Sequence, residues 1–335
     1  MLSRPSPSLH APFPWIPPGL YTWAHPNRTL WSKMPGIKVF HVTALATLLL
    51  SSVLLSIAAQ DTCTTSSQPN PIAQQYPNDA TGTLNTTLAI VPIPLSTARS
   101  IIPSQHAILE GAYRSLMPDF PADMYPVLVT AGLDHDIQLA ALSINVQDFQ
   151  RFGWSFPFID LLGDGYSSFT MAPAQMISAD NQVAINGSRA YGTTVYPSKF
   201  EPGCEAYARL PSGSTYFKGQ AADDSGKYVT LEFSPLDQGT TNPFPVEVYQ
   251  NITNQPIFAN GTQCDRQVRL FNSTINEGQW APAPVKGTVF SNLEPLSDTE
   301  GLGEVFGILV DTPFIEFNML DCTTLKGYSG TGPGD

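Results

Sequence analysis

Short apolar stretches separated by turn-forming residues make up most of the chain from residue 84 onward. Examples are LNTTLAIVPIP at 84–94, YPVLVTAG beginning at Tyr125 and YVTLEFSP beginning at Tyr228. Each is rich in β-branched or aromatic residues and ends near Gly, Pro, Asn or Asp, as strands joined by loops do. About ten such stretches follow one another, without an internal repeat. The pattern predicts one mainly β domain over 84–325, an antiparallel sheet closed or nearly closed into a barrel.

Two segments near the start of this domain have helical rather than strand spacing. Ser96 can cap a short helix that runs to Ile102 and is stopped by Pro103. His106 to Met117 carries its apolar residues at helical spacing. A few short helices at the periphery of the sheet are therefore expected, in the mainly β, α+β class.

The stretch from Leu161 to Leu210 has the densest turn signals. Gln182 to Ile185 is predicted to be a short strand, and Asn186-Gly187 the turn of a hairpin. Tyr191 to Phe200 is predicted to be the next strand, with a bend at Pro197. That bend presents Lys199, the first lysine of the expected mature chain.

Three further segments carry specific expectations. Asp134-His135-Asp136 lies between two strand-like runs and is predicted to be a hairpin loop. Gln147 to Ile159 is aromatic and irregular, and is expected to close one end of the core. Gly303 to Leu320 is nearly continuous apolar sequence, predicted to be a buried strand pair that turns at Asp311-Thr312-Pro313.

Composition supports the β assignment and narrows the partners. The chain has 31 prolines, 25 glycines and only 13% charged residues, which favours many short strands over long helices. Residues 61–335 hold 12 basic and 28 acidic residues, a net charge of −16. Such a surface repels phosphate backbones, so nucleic acid is not expected as a partner.

The first 60 residues have the features of a targeting segment. Basic residues at Lys33 and Lys38 precede the apolar run VFHVTALATLLLSSVLLSIAA, which ends in small residues at Ala58 and Ala59. This order is typical of a secretory signal peptide, with Met34 as a possible true start; a signal anchor in a membrane is the alternative. We expect a secreted chain, off the membrane after cleavage, with a polar arm at 61–83 and a flexible tail at 326–335.

Sequons and cysteines agree with secretion. Five Asn-x-Ser/Thr sequons in the expected mature chain predict a glycoprotein. They lie at Asn85, Asn186, Asn251, Asn260 and Asn272. The four cysteines allow two disulfides in three pairings, of which Cys63–Cys322 with Cys204–Cys264 is preferred because it ties the termini together and staples a mid-chain loop.

Several common chemistries lack their signatures. The expected mature region has only two histidines, His106 and His135, and no G-x-S-x-G, G-x-G-x-x-G or Walker motif, so no metal or cofactor is expected. Asp134-His135-Asp136 could ligate a cation, although a solvated turn is the simpler interpretation. Strand-associated acids could serve a glycosidase, although a surface position is expected for each. They are Glu201, Glu232, Glu247 and Glu316.

Lys199 remains as a candidate nucleophile, and a motif surrounds it. The segment DNQVAINGSRAYGTTVYPSK resembles the region of acetoacetate decarboxylase-like proteins with an Ala-Ile pair, a Gly-Arg-Glu stretch, an aromatic-glycine step and Pro-Lys-Lys. IPLSTARSIIPSQHAIL resembles that family's opening strand and short helix. The resemblance implies a cone-shaped antiparallel β-barrel with peripheral helices around an apolar cavity.

The resemblance also implies a catalytic arrangement from which this chain departs. In the family the first lysine after the proline forms the Schiff base and the second lowers its pKa; here Ser198 and Lys199 follow Pro197. If Lys199 has taken the role, it attacks the ketone of a small keto acid, and Arg189 binds the carboxylate or lowers the pKa of the lysine. The alternatives are a non-catalytic secreted barrel that binds a small apolar or carbonyl ligand, and a surface glycoprotein.

Overall fold

The structure is a computed structural model that describes residues 64–296, 299 and 302–327. These residues lie in one compact unit spanning 59–335. The expected signal segment at 1–60, Cys63 and most of the expected tail fall outside the described residues. No described helix is both long and apolar enough to cross a bilayer.

Strands dominate the described part of the chain, and the prediction of a mainly β fold with a few short helices is confirmed. The strands are β1 Ala80–Pro94, β2 Ala107–Ile108, β3 Met124–Leu139, β4 Ile144–Val146, β5 Phe149–Asp160, β6 Ser168–Met171, β7 Ala174–Ser178, β8 Thr194–Glu201, β9 Ala208–Arg209, β10 Thr215–Ala221, β11 Tyr228–Pro235, β12 Ile257–Phe258, β13 Gln263–Arg269, β14 Ala283–Ser291 and β15 Val305–Asp321. The helices are α1 Leu95–Ile101, α2 Glu110–Leu116, α3 Gln182–Ala190 and α4 Val246–Thr253.

All fifteen strands belong to one sheet that joins itself into two hydrogen-bonded rings. The first ring has seven strands, in the order β1-β3-β5-β6-β12-β13-β15. The second has nine, in the order β1-β3-β5-β7-β8-β10-β11-β14-β15. The rings share the wall β15-β1-β3-β5, whose opposite faces line different rings. Two pairings, β6 with β12 and β7 with β8, are parallel, so the sheet is mixed rather than purely antiparallel.

Register determines which side chains enter which ring, because residues directly opposite each other share a face. Phe152 lies opposite both Ala131 and Met176, and this face lines the nine-stranded ring with apolar side chains. Arg151 lies opposite Gly132, on the other face. Gly132 has to be glycine because an added Cβ would lie 2.1 Å from the Asn85 carbonyl oxygen. The close approach of β1 and β3 therefore fixes the shared wall.

Local structure differs from the sequence prediction in four places. Residues 182–190 form helix α3 instead of a strand and hairpin, because the Asn181 side chain accepts a hydrogen bond from the Ala184 N–H at 2.9 Å and caps the helix. The Asp134 to Asp136 segment lies inside β3 rather than in a loop. The aromatic segment forms the regular strand β5, and β15 is one long strand instead of a pair.

The polar segment at 64–79 is packed against the sheet rather than free as an arm. The Gln68 N–H donates to the Asp311 carboxylate at 2.8 Å, and the Asn70 N–H donates to Asp136 at 2.9 Å. Ile72 and Ala73 are buried. Sequence reasoning missed this because the apolar contacts come from only two residues in a polar stretch.

The preferred disulfide pairing is wrong. Cys264 bonds to Cys322, with a Cα–Cα distance of 5.1 Å, because β13 pairs with the end of β15 and places Cys264 opposite Leu320. Cys204 is also disulfide-bonded, while Cys63 lies outside the described residues. The register of two strands distant in sequence decides the pairing, and cysteine spacing does not contain that information.

Candidate functional site

The three residues predicted to be catalytic do not form a site. Along β8 the side chains alternate, so Ser198 is buried and Lys199 is exposed on the opposite face. Arg189 is exposed near the end of α3, and its Nη2 donates to the Val195 carbonyl at 3.1 Å. A Schiff-base lysine has to be desolvated or placed beside another cation, and Lys199 is not desolvated.

Ser198 occupies the position facing the interior of the nine-stranded ring, but its contacts are structural. Its Oγ donates to the Tyr196 carbonyl at 2.8 Å. The Gln150 side chain fills the space near the end of the ring by donating to the carbonyls of Pro202 and Glu205 at 2.7 and 2.9 Å. Because the hydroxyl donates to a main-chain carbonyl instead of a base, it is not arranged as an activated nucleophile.

The other ring contains a set of buried and half-buried charged and polar side chains, which we call the ring cluster. Its members lie on the shared wall and on β13, on the face of the sheet that lines the seven-stranded ring. They are Asp134, Arg151, Asp265, Gln267, Arg269 and Glu316. The positive charge of Arg151 on β5 lowers the pKa of Arg269 on β13. Three strands separate β13 from β5, and in a flat sheet the two strands would be about 19 Å apart. The curvature of the ring brings them together.

Asp134 and Arg151 form the ion pair at the wall. The Arg151 Nε donates to Asp134 Oδ2 at 2.5 Å, and Nη2 donates to Oδ1, so the pair is bidentate. Burial raises the pKa of the Asp134 carboxyl, and the guanidinium opposes that rise. Burial acts to lower the pKa of Arg151, but the Asp134 carboxylate outweighs it and raises this pKa overall.

Arg269 is buried but incompletely paired. Its Nε donates to Gln267 Oε1 at 3.0 Å, and its main-chain N–H donates to Asn254 at 2.6 Å. Its buried Nη1 has no hydrogen-bond partner among the described residues. Burial, together with the positive charge of Arg151, lowers the pKa of Arg269 to about 9, so the guanidinium is still charged at neutral pH.

Asp265 is the second incompletely paired member. Its side chain is 4% exposed, and its Oδ1 has no hydrogen-bond partner in the described part of the chain. Burial raises the pKa of this carboxyl well above its usual range, and the Glu316 carboxylate adds to the rise. The raised pKa favours protonation of this carboxyl, and in its protonated form the carboxyl can donate a hydrogen bond. Thr312, opposite Leu84 on the same face, also has a buried hydroxyl without a partner there.

Helix α3 places one more polar side chain against the ring cluster. Tyr191, at the end of the helix, is buried, and burial raises its pKa, as does the negative charge of Asp265. Glu316, predicted to lie at the surface, is half-buried, and its carboxylate accepts hydrogen bonds from Gln267 and Asn318, both at 3.1 Å. A buried guanidinium can bind a carboxylate, and a carboxyl group can donate a hydrogen bond to a nearby oxygen when it is protonated.

The other predicted residues lie apart from the ring cluster. His135 pairs with Asp148 at 2.5 Å rather than forming a cation site with its neighbours in sequence. Among the sequons, Asn186, Asn260 and Asn272 are exposed. Asn85 is half-buried inside β1, and its Nδ2 donates to Ser67 at 3.0 Å; Asn251 is half-buried in α4.

Comparisons with known proteins give structural but no sequence-level matches. No protein-family model matches the chain, and no curated protein matches it. Among solved structures, the enduracididine biosynthesis enzyme MppR complexed with pyruvate is 11% identical, with 81% of this chain and 98% of that chain covered and a TM-score of 0.43. An acetoacetate decarboxylase-like enzyme from Sphingomonas wittichii RW1 is 9% identical, with coverages of 73% and 92% and a TM-score of 0.41. At these values the similarity assigns no function.

Proposed function

We propose that the protein binds a short keto acid inside the seven-stranded ring, without a lysine Schiff base. In this proposal Arg269 Nη1 pairs with the ligand carboxylate, and the protonated Asp265 carboxyl donates to the keto oxygen. The observation that carries it is that two incompletely paired polar groups are buried in the same interior. Buried polar groups in folded proteins are nearly always hydrogen-bonded, so each exception needs an explanation such as a ligand.

Charge supports a carboxylate ligand. A buried guanidinium attracts an anion more strongly than an exposed one does, because the low dielectric screens it less. Protonation of Asp265 removes the carboxylate charge that would repel such a ligand. A keto acid should bind better than a simple ketone, because a ketone lacks the carboxylate that would pair with Arg269.

Titration calorimetry with acetoacetate tests the proposal, with butyrate and acetone as ligands that each lack one of the two groups. Arg269→Gln should weaken acetoacetate binding about 10-fold or more, since a hydrogen bond to a charged group contributes about 1.5–3 kcal/mol. Asp265→Ala, which removes the donor, should weaken it as well, by the smaller amount of a neutral hydrogen bond, about 0.5–1.5 kcal/mol. Lys199→Ala should bind like the wild type, because this side chain is exposed on the opposite side of β8. Circular dichroism and thermal unfolding show whether each variant is folded.

Borohydride trapping separates this proposal from the lyase hypothesis. After incubation with acetoacetate and reduction, peptide mapping should find no adduct on Lys199. An adduct there, or loss of binding in Lys199→Ala, would establish the Schiff-base alternative and overturn our proposal. Wild-type affinity in both folded ring-cluster variants would overturn it as well.

We also propose that the chain is a secreted glycoprotein, on the basis of the signal-like segment, the sequons and the disulfide. Expression through a secretory pathway should give a mature N-terminus after Ala58 or Ala59. Enzymatic deglycosylation should lower the mass, with glycans at the exposed Asn186, Asn260 and Asn272. Retention in the membrane with an intact N-terminal segment would instead support the signal anchor.

A further inference from the structure

A cavity of about 400 Å³ lies between α2, the loop before α4, and the ends of β1 and β15. It is far from the ring cluster, because Ile90 at the cavity and Leu84 beside the cluster are six residues apart on β1, or about 20 Å. Its volume is within the range of pockets for small organic ligands, about 300–1,000 Å³. The ring cluster is thus not part of this cavity.

The walls of the cavity are apolar and rigid. Phe120 and Phe244 pack together with ring centroids 6.1 Å apart, and Ile90 is fully buried. Five of the lining residues are prolines, which fix their own backbone angle φ. They are Pro92, Pro118, Pro121, Pro243 and Pro245. A wall that is already ordered reduces the entropy lost when a ligand binds.

The loop that carries Phe244 is held in place by one side chain. Asn242 accepts from the Phe244 N–H at 2.9 Å and donates to the Gly307 carbonyl at 2.9 Å. These bonds connect the loop to β15. The cavity therefore keeps its shape through hydrogen bonds as well as through proline.

Charge at the cavity has a single sign. Among the described residues that line it, the charged ones are Asp119 and Glu304, and both are exposed. Glu304 is 3.6 Å from Lys286, which is closer to Asp237 at 2.8 Å, so its negative charge is only partly compensated. The prolines also lack N–H donors that could bind an anion.

We propose that this cavity binds small organic cations, that is, amines with an aromatic or aliphatic body. The apolar body would fill the space beside Phe120 and Phe244, and the ammonium group would lie near Asp119 and Glu304. The proposal is independent of the function assigned to the ring cluster.

The test compares two probes with one naphthalene body, 1-naphthylmethylammonium and 1-naphthylacetate, by titration calorimetry. The ammonium should bind about tenfold more tightly, a difference of about 1.4 kcal/mol. In Asp119→Asn/Glu304→Gln this preference should fall below about threefold, while neutral 1-naphthalenemethanol binds as it does to the wild type. Glu201→Gln/Glu232→Gln removes two exposed charges elsewhere and should keep the full preference.

A filling variant locates the binding. Leu116→Trp enlarges a half-buried lining side chain and should weaken all three probes. Equal affinity for the ammonium and the carboxylate, or an unchanged preference in the Asp119/Glu304 variant, would overturn the proposal. Unchanged binding in a folded Leu116→Trp protein would overturn it too, and thermal unfolding confirms that each variant is folded.

Discussion

The buried ion pair of Asp134 and Arg151 gives the sharpest test of how the ring cluster is held. In Arg151→Met the Asp134 side chain, which is fully buried, loses its bidentate partner. Breaking a buried pair by removing one member typically costs about 3–5 kcal/mol, because an uncompensated charge stays buried. At about 2–4 °C per kcal/mol for a domain of this size, the melting temperature should fall by about 6–20 °C at pH 7.5.

Two comparisons separate the charge effect from lost packing. Asp134→Asn/Arg151→Met removes both charges and should recover most of the loss, so the double-mutant cycle should give a coupling of at least about 2 kcal/mol. Arg99→Met breaks a pair in which the arginine side chain is 62% exposed, and should cost less than about 1 kcal/mol. Denaturant unfolding at pH 7.5 measures all three.

The reasoning also predicts how the loss depends on pH. Protonation of Asp134 removes the unpaired charge, so the penalty in Arg151→Met should shrink as the pH falls toward 4. A penalty of less than 1 kcal/mol at pH 7.5, or single-variant losses that simply add in the double variant, would refute the idea that the pair is electrostatically coupled.

Three other outcomes follow from the fold. Burial raises the pKa of Asp311 from 3.8 to about 6, so the contribution of Asp311 to stability is present below pH 3.8 and is lost as the pH rises through 6, by about 3 kcal/mol. Asp311→Asn should therefore stabilise the protein more at pH 8 than at pH 4. An equal effect at both pH values in denaturant unfolding would contradict this. Replacing Cys264 and Cys322 by serine removes the cross-link that closes a loop with a sequence separation of 58, and should lower the free energy of unfolding by about 4 kcal/mol. The same denaturant midpoint for the reduced and the oxidised protein would contradict this. Gly132→Ala should destabilise the protein strongly, because the added Cβ would collide with β1. Gly111→Ala in α2 has open space around it and should be neutral or stabilising by up to about 1 kcal/mol in thermal unfolding. Equal melting temperatures for the two variants would count against the close approach of β1 and β3.

The sequence predicted the individual strands and helices better than it predicted which strands pair with each other. β1 and the presence of the first two helices follow from local patterns, because apolar spacing and proline stops act within a few residues. The predicted starts of the helices are wrong, since Ser96 lies inside α1 rather than capping it and α2 begins at Glu110 rather than at His106. The aromatic strand β5 was missed because both of its faces are buried, so it lacks the alternation that marks a half-exposed strand. Helix α3 was missed because Asn186-Gly187 is a strong hairpin signal, and the Asn181 cap outweighs it.

The candidate site was harder to predict, for a physical reason. Arg269 lies on a strand that resembles an exposed strand with charged residues, whereas Glu316 is one acid in a nearly continuous apolar run, and only the pairing of these strands in the ring brings the two residues together. The motif around Lys199 drew attention to β8, where strand alternation turns the lysine outward. A signal was nevertheless present, since Asp265, Gln267 and Arg269 alternate along one strand and therefore share a face.

The position of β15 at the end of the described chain has a consequence for biosynthesis. This strand hydrogen-bonds to β1, β13 and β14, and both rings depend on it. While the ribosome is still making residues 80–304, neither ring can shut, and the emerging polypeptide carries unsatisfied strand edges that invite aggregation. Neither ring can therefore form before β15 has left the ribosome, which makes the exposed strand edges of the growing polypeptide its most vulnerable feature.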